Sequence, residues 1–269
     1  MADAVSGGDD ALVLVDRMGS IARLTLNRPE QFNALTGEMI GRLDGALRSL
    51  GADPSVRVIV LAAAGRAFCA GHDLRDVQQT VAAGGQVAAA ELFARCSRMM
   101  QTIQTIPQPV IARVHGIATA AGCQLVAMCD LAVASSDARF AVSGVNLGLF
   151  CATPGVALSR NMSRKQAFEM LVTGEFIDAS TAFERGLINR VVAADSLDHE
   201  IASLAATICA KPADAIGMGK QLFYRQLEMG IAGAYQLAGQ TMACNLVAEA
   251  TQEGIEAFLE KRPPRWTAP

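Results

Sequence analysis

Several patterns that would define a function at once are missing from this sequence of 269 residues. No apolar run reaches the roughly 18 residues that a membrane-spanning helix needs, so no membrane partner is expected. Aromatic residues make up only 5% of the chain, and no block of Lys and Arg stands out, since 23 basic side chains face 26 acidic ones at a net charge of -3. This balance argues against nucleic acid as a partner. An anionic small ligand remains possible, because it needs only a few local cations.

Common catalytic and nucleotide-binding motifs are also absent. The sequence has no GxSxG, and no GxGxxG follows a predicted strand. The segment GMGKQ, residues 217–221, lacks the spacing of a phosphate-binding loop and lies inside a helical pattern, so it is interpreted as core packing. His72 is a candidate general base, although a loop histidine is more often solvated, and His115 ends an apolar strand and is interpreted as structural.

The cysteines follow no CxxC spacing, and their number, seven, is odd. Such a pattern predicts reduced, buried thiols rather than a disulfide framework. A weak alternative is a metal site at Cys123, Cys129 and Cys151, but the three His lie far from any ligand spacing. No metal is therefore expected.

The first residues, MADAVSGGDD, are acidic and lack an apolar segment. They resemble neither a secretory signal nor an Arg-rich transit peptide. Residues 1–10 are predicted to be a disordered tail, and the protein is expected in the cytoplasm.

The remaining sequence alternates strand and helix patterns. ALVLVD and IARLTLNR predict a β-hairpin, and TGEMIGRLDGALRSLG predicts a helix capped by Thr36. A strand, VRVIVLAAA, and a helix over residues 87–106 follow, and then PVIARVHG, ATAAGCQLVAM, DLAVAS and ARFAV repeat the alternation. After about Thr153 helical segments dominate, except for LINRVV. The order predicts an α/β fold with a helical C-terminal part.

Two strand-to-helix junctions are built from small residues: AFCAGHDL, residues 67–74, and GIATAAGCQL, residues 116–125. Small residues let a ligand approach the backbone, and a helix start supplies free N–H groups with partial positive charge. The two junctions could aim two N–H donors at one developing oxyanion. Close packing of helix against sheet explains the same residues and is the interpretation that the patterns alone favour, with the donor site as the alternative.

At these junctions the sequence resembles the crotonase superfamily, the enoyl-CoA hydratase/isomerase family. The matching segments stand in the family order across nearly the whole chain. Two of them, GVNLGLFCATPGVALSR and AAGCQL, are most similar to the subgroup called enoyl-CoA hydratase domain-containing protein 3. The segments are LNRPEQFNAL, GRAFCAGHDL, PVIARVHGIATAAGCQLVAMCDLAVAS, ARFAVSGVNLGLF, LVTGEFIDASTAFERGLINRVV and GIEAFLEKRPPRW.

This resemblance implies an α/β crotonase (ClpP-like) spiral of repeated ββα units with a C-terminal α-helical trimerisation region. The core would span residues 11–200 and the helical oligomerisation region residues 201–269. A homotrimer or a dimer of trimers is implied. The ligand would be an acyl group carried as a coenzyme A thioester, with no further cofactor.

The resemblance also implies where the thioester is bound. Its oxygen would accept hydrogen bonds from the backbone N–H groups of His72 and Ala121, the second of which is usually Gly in the family. Contacts with coenzyme A would come from Gln31, Phe32 and Ala70. Arg75 would meet a phosphate, and Lys261 would reach the nucleotide of a neighbouring subunit's ligand. For both cations, an exposed surface charge is the plain alternative.

The two glutamates that hydratases use are missing: Gln124 and Gly144 stand at their positions. A matched acid or base contributes typically about 10² to 10⁴ in rate, and a neutral amide cannot take a proton from water near pH 7. Classical hydration is therefore doubtful.

Two alternatives keep the oxyanion site and need no carboxylate. One is decarboxylation of a malonyl-type thioester, in which loss of CO₂ itself generates the enolate, although Phe150 and Cys151 replace the tyrosine of such enzymes. The other is a non-catalytic acyl-CoA binder. Cys151 would be either a reactive group of the pocket or an inert buried thiol. Asp73 and Asp76 are expected to cap loops rather than to catalyse.

Overall fold

A computed structural model describes residues 11–266, so the predicted disordered tail lies outside the described residues. The strands are β1 (Val13–Met18), β2 (Ile21–Leu26), β3 (Val58–Ala63), β4 (Val110–Val114), β5 (Ile117–Thr119), β6 (Leu131–Ser135), β7 (Arg139–Ala141), β8 (Ile177–Asp178) and β9 (Arg190–Val192). The helices are α1 (Gly37–Gly51), α2 (Leu74–Thr105), α3 (Ala121–Met128), α4 (Ala152–Asn161), α5 (Arg164–Thr173), α6 (Ala179–Glu184), α7 (Leu197–Cys209), α8 (Ala213–Gln226), α9 (Ile231–Leu246) and α10 (Glu249–Leu259). The predicted α/β class is confirmed.

The strands form two sheets. The larger has the order β1-β2-β3-β4-β6-β9, and the smaller has the order β5-β7-β8. The predicted hairpin is confirmed as the antiparallel pair β1–β2, and all other neighbours in the larger sheet are parallel. The smaller sheet matters for the site, because β5 leads directly into α3 and its neighbour β7 leads towards Gly144.

Both faces of the larger sheet are covered, which explains why its central strands are continuously apolar. On one face Val58, Val60, Ile111 and Val133 pack against α7. Alternate residues of the same strands, such as Ile59 and Leu61, face the main core with α1, α2 and α3. Thr36 caps α1 as predicted, with its hydroxyl accepting the N–H of Met39.

Helix α2 differs from its prediction. It begins at Leu74, not at residue 87, because the Asp73 carboxylate accepts the N–H groups of Arg75 and Asp76 and so caps an earlier start. Gly84 and Gly85 interrupt it with non-helical backbone angles. The segment before this break is mostly exposed and therefore lacks the apolar period on which the prediction depended. The short strand β8 was also not predicted, because two residues are too few to show a periodic pattern.

The GMGKQ segment lies inside α8, as predicted, and its lysine is buried. Lys220 Nζ donates to Ile103 O (2.7 Å), Gln108 O (2.8 Å) and Asp130 Oδ2 (2.6 Å). Asp130 also accepts from Val110 N (2.6 Å) and from the Tyr224 hydroxyl (2.8 Å). This ion pair fixes α8 to the chain that leaves the C-terminal end of α3.

The last helices carry many apolar side chains that the single chain leaves exposed. Ile231, Tyr235 and Met242 on α9 are 77%, 75% and 73% exposed, and Phe258 on α10 is 82% exposed. Within residues 11–266 no single helix is long and apolar enough to cross a membrane. One pair of helical segments, 194–209 and 213–226, has the required length and composition only when the two are taken together, and they are bent by 102°.

Candidate functional site

The two small-residue junctions lie side by side. Cys69 pairs with Ala118 in an isolated parallel bridge, with Cys69 N donating to Ile117 O (3.1 Å) and Thr119 N donating to Cys69 O (3.0 Å). The segment around His72 and the start of α3 are thereby joined through the backbone, which places both candidate donors in one region.

Two glycines permit this close approach. A Cβ on Gly122 would lie 2.1 Å from Cys69 O, so any side chain there would force α3 away from the neighbouring junction. Gly71 has a φ of +93°, and its added Cβ would lie 3.2 Å from Ala121 N. The small residues thus have a packing role, and that role also brings the His72 junction against the first turn of α3.

Both predicted donor N–H groups are free of internal acceptors. Leu35 pairs with the segment around His72 through two backbone hydrogen bonds: Leu35 N donates to Gly71 O (2.7 Å), and Asp73 N donates to Leu35 O (2.9 Å). This pairing uses groups of Gly71 and Asp73 and leaves the His72 N–H unused. Ala121 is the first residue of α3, where an N–H has no partner within the helix. Among residues 11–266 no hydrogen bond uses either N–H.

The residue before Ala121 is strained. Ala120 has a φ of 51° and a ψ of -120°, a conformation that a side chain disfavours. Its N–H donates to Ala141 O (2.9 Å) on β7, which holds the strained turn in place. The strain is therefore located where the chain turns from β5 into α3 and sets the direction of the Ala121 N–H.

The His72 side chain is half-buried, contrary to the expectation of a solvated loop histidine. Both ring nitrogens are buried without a hydrogen-bond partner in the described residues, and the ring packs edge to face on Phe93 at 5.3 Å between centroids. Burial lowers the pKa of His72, and the nearby Asp76 carboxylate opposes this only in part. The imidazole is therefore neutral at neutral pH.

This pKa shift predicts a pH dependence of stability. A histidine whose pKa is lowered on folding binds fewer protons in the folded state, so the free energy of unfolding falls as the pH drops below the unfolded value of about 6.5. Between pH 7.5 and 5.5 the loss from His72 is expected to reach at most about 1.4 kcal/mol. Urea unfolding at both pH values should show a smaller difference for His72→Phe than for the wild type. An unchanged difference would contradict a buried neutral imidazole.

Gln124 lies one turn after Ala121 on α3, and residues three apart share a helix face. Its side chain is only 4% exposed, and its Oε1 has no hydrogen-bond partner among residues 11–266. A buried amide oxygen without a donor is uncommon in folded proteins. Gln124 therefore presents an unsatisfied polar group next to the candidate donors.

Gly144 stands at the position of the other missing glutamate, and neighbouring atoms occupy the space that a side chain there would need. A Cβ there would lie 2.5 Å from Leu149 O and 2.7 Å from Cys151 Sγ. The thiol accepts the Gly144 N–H at 3.3 Å, and burial raises the pKa of Cys151. Residues 145–151 therefore cover the place that a carboxylate at position 144 would occupy. The protonated Cys151 thiol agrees with the interpretation of this cysteine as an inert thiol.

The remaining carboxylates of the junction are engaged elsewhere. Asp73 caps α2 and pairs with Arg28 at 3.2 Å, and Asp76 Oδ2 accepts from Gly37 N at 2.9 Å. These contacts agree with the capping role expected for both residues. Neither carboxylate replaces the missing glutamates.

Only some of the residues predicted to contact coenzyme A lie close together in the single chain. Ala70 N donates to Phe32 O at 3.0 Å, which joins two of the predicted contacts, and Gln31 is exposed beside them. Arg75 is exposed in the first turn of α2, and Lys261 is exposed just after α10. The side chains of both cations form no ion pair within residues 11–266. Their phosphate roles stay predictions.

Two residues near these contacts were missed. The Arg66 guanidinium lies over the Phe32 ring at 4.4 Å, which adds a cation beside the predicted contacts. Asn33 is fully buried: its Nδ2 donates to Ala64 O and Ala67 O, both at 2.8 Å, and its Oδ1 accepts from Arg28 N at 2.8 Å. Its φ of 55° is one that Asn tolerates better than most residues, but a single Asn in a loop gave no signal in the sequence.

Replacing Asn33 by Ala should loosen the loop that carries Phe32. The change leaves two buried carbonyls and one buried N–H without partners, at a cost of about 1–3 kcal/mol for each group left unsatisfied. We expect a lower free energy of unfolding in urea, together with weaker binding of free coenzyme A. A control change, Gln86→Ala at an exposed position of α2, should affect neither quantity. Full coenzyme A binding by Asn33→Ala would contradict its positioning role.

No group of three or more His, Cys, Asp or Glu in the described part of the chain has the arrangement of a metal site. The thiols are free, as predicted. The prediction of burial is confirmed for Cys69, Cys96, Cys123, Cys129 and Cys151, but it is wrong for Cys209, which is partly exposed, and for Cys244, which is exposed. His115 is structural as interpreted, since its Nε2 lies 2.8 Å from Gly65 O and its Nδ1 lies 3.3 Å from an Arg113 nitrogen.

Comparison with known sequences gives full-length relatives. The chain is 44% identical over 256 residues to enoyl-CoA hydratase domain-containing protein 3, mitochondrial, from Xenopus laevis, covering 95% of this chain and 86% of the relative. The human protein of the same name is 43% identical over 251 residues, covering 93% and 82%. The predicted subgroup resemblance is confirmed. The predicted cytoplasmic location is wrong, because these relatives are mitochondrial proteins.

Solved structures agree. A crystal structure of an enoyl-CoA hydratase from Mycobacterium smegmatis matches with a TM-score of 0.92 and 59% identity, covering 96% of this chain and 99% of that one. Human enoyl-CoA hydratase domain-containing protein 3 matches with a TM-score of 0.91 and 42% identity, covering 95% and 100%. The family profile described as enoyl-CoA hydratase/isomerase matches residues 16–269. The chain therefore belongs to the enoyl-CoA hydratase/isomerase family and has the crotonase fold.

Proposed function

We propose that this protein binds an acyl-CoA thioester with the thioester oxygen between the N–H groups of His72 and Ala121, and that it stabilises negative charge on that oxygen. The observation that carries the proposal is the pair of free backbone donors on two junctions joined through Cys69. Ala121 also starts α3, whose dipole favours negative charge at its N-terminus. Fixed donors of this kind strengthen as charge develops on the oxygen.

The same site lacks the groups that classical hydration needs. Gln124 holds one glutamate position with a neutral amide, and the fold around Gly144 leaves no room for a side chain at the other. Chemistry in which the enolate arises without a side-chain base remains available, as does binding without turnover. Nominal hydratase or isomerase activity is therefore expected to be weak or absent, while thioester binding is retained.

The test of binding compares butyryl-CoA with S-butyl-CoA, a thioether that lacks the carbonyl oxygen. Two added hydrogen bonds of about 0.5–1.5 kcal/mol each predict at least about fivefold tighter binding of the thioester. Isothermal titration calorimetry measures both affinities on the same protein. Equal affinities would overturn the proposal.

The test of chemistry is a mass-spectrometric screen with 2-enoyl-, 3-enoyl- and malonyl-type CoA esters. Turnover above the uncatalysed rate identifies an enzyme, and tight binding without turnover identifies a binder. Crotonyl-CoA hydration is expected to appear or rise in Gln124→Glu, which restores one carboxylate. Robust hydration that persists in Gln124→Ala would show that the assumed site geometry is wrong.

We also propose that the chain forms a homotrimer or a dimer of trimers through its C-terminal helices. The exposed apolar side chains of α9 and α10 support this, because monomeric proteins rarely leave such faces uncovered. Light scattering after size-exclusion chromatography should give a multiple of three chains for the wild type and a smaller mass for Ile231→Asp. Val87→Asp, at an 82% exposed position on α2, serves as the control and should keep the full mass. A monomeric wild type would contradict the proposal.

A further inference from the structure

Each candidate donor follows a residue with an unusual backbone conformation. Gly71, which precedes the His72 N–H, has a φ of 93°, and Ala120, which precedes the Ala121 N–H, has a φ of 51°. Glycine adopts such angles freely, whereas a residue with a Cβ is strained in them. Glycine at position 120 would relieve this strain, so the methyl group of Ala120 has a cost that a role in the site would offset.

The Ala120 methyl lies between the two junctions. A Cβ added at Gly71 would lie 2.8 Å from Ala120 Cβ and 3.2 Å from Ala121 N, so Gly71 faces this turn directly. The parallel bridge between Cys69 and Ala118 joins the two chains three residues before each donor. Beyond that bridge, the contact of the methyl group with Gly71 keeps the two backbones apart.

Hydrogen bonds hold both backbones from the outer sides of this contact. Leu35 N donates to Gly71 O at 2.7 Å, and Ala120 N donates to Ala141 O at 2.9 Å. Each bond joins one junction to a different neighbour, so neither sets the distance between the junctions. The distance therefore depends on what lies between Gly71 and the turn at Ala120, which is the methyl group.

We infer that the Ala120 methyl is a spacer that sets the distance between the His72 and Ala121 N–H groups, so that Ala120 is a positioning residue of the oxyanion site. Donors held at a fixed separation stabilise developing charge without reorganising, which offsets the strain at position 120. Interior groups are closely packed, so loss of this methyl would let the two donors shift. The inference rests on the proposed function, since it assumes that both donors bind the thioester oxygen.

The test is Ala120→Gly, which removes the methyl group and the strain but keeps both donor N–H groups. In calorimetry, the preference for butyryl-CoA over S-butyl-CoA should fall at least about twofold. The pKa of bound acetoacetyl-CoA, followed through the absorbance of its enolate, should rise towards its value in free solution. The midpoint of urea unfolding should be at or above that of the wild type, because glycine adopts the required angle without strain.

Ala120→Ser is the conservative variant, since it keeps the Cβ at a half-buried position. It should retain the thioester preference and the ligand pKa of the wild type. Ala127→Gly is the matched control, because it removes a buried methyl group from α3, the helix that carries Ala121. It should lower the urea midpoint and leave the thioester preference unchanged.

An Ala120→Gly protein with the thioester preference and ligand pKa of the wild type would overturn the inference. An equal loss of preference in Ala127→Gly would also overturn it, since general loosening of α3 would then explain the effect. A lower urea midpoint for Ala120→Gly would contradict the strain at this position. The proposed function survives each of these results, whereas equal affinities of the wild type for butyryl-CoA and S-butyl-CoA would remove both.

Discussion

Ala121→Pro is expected to remove thioester recognition while leaving the fold intact. Proline has no N–H, and the first position of a helix is the one place in a helix where it is well tolerated. Ala121 occupies that position in α3, and its N–H has no acceptor within the chain. The variant should bind butyryl-CoA and S-butyl-CoA about equally, and any turnover found in the screen should fall by about 10² to 10³, the usual cost of one oxyanion donor.

A matched control separates loss of the donor from the presence of a proline. Arg164 is the exposed first residue of α5, follows an extended Ser163 and forms no ion pair among the described residues. Arg164→Pro should retain the preference for the thioester. Because Ala120 already has an unusual backbone conformation, circular dichroism and urea unfolding should accompany the binding data for Ala121→Pro. A folded Ala121→Pro that keeps the thioester preference would contradict the assigned donor.

Lys220→Met is expected to lower the free energy of unfolding by about 3–5 kcal/mol, the cost of breaking a buried ion pair from one side. The ammonium group is fully bonded, to Ile103 O, Gln108 O and Asp130 Oδ2. Its removal leaves a buried carboxylate with only Val110 N and Tyr224 as donors. Urea unfolding followed by circular dichroism measures the loss.

Lys220→Met/Asp130→Asn should recover part of this loss, since the neutral amide still accepts hydrogen bonds and no charge stays buried. Lys165→Met, at an exposed position of α5, should change stability by less than about 0.5 kcal/mol. Equal stability of Lys220→Met and the wild type would contradict the structural role of the pair. The pair also bears on the site, because Asp130 follows the helix that carries Ala121 and Gln124.

Strong local signals allowed much of the fold to be predicted. The hairpin, the Thr36 cap and the helical tail follow from periodicity and capping residues that act over a few positions. The start of α2 was missed because its first ten residues are mostly exposed and carry no apolar period. The strand β8 is too short to have a period.

The site was predicted mainly through the resemblance to the family, which gave the positions of His72, Ala121, Gln124 and Gly144. The sequence alone favoured close packing over oxyanion binding, and the structure shows that the same glycines permit the packing and leave the donors free. Burial of the His72 ring depends on Phe93, twenty-one positions later in the chain, and the filled space at Gly144 depends on the path of residues 149–151. Such features follow from tertiary packing, which no local pattern encodes.

The oxyanion site is tested most directly by the acidity of acetoacetyl-CoA bound to the protein, followed through the ultraviolet absorbance of its enolate. Donors aimed at the thioester oxygen stabilise the enolate more than the neutral form, so they lower the pKa of the bound ligand. We expect a pKa at least about one unit below that in free solution for the wild type, since hydrogen bonds to charged groups contribute about 1.5–3 kcal/mol. In Ala121→Pro the pKa should return towards the free value. An unshifted pKa in the folded wild type with ligand bound would contradict the oxyanion site.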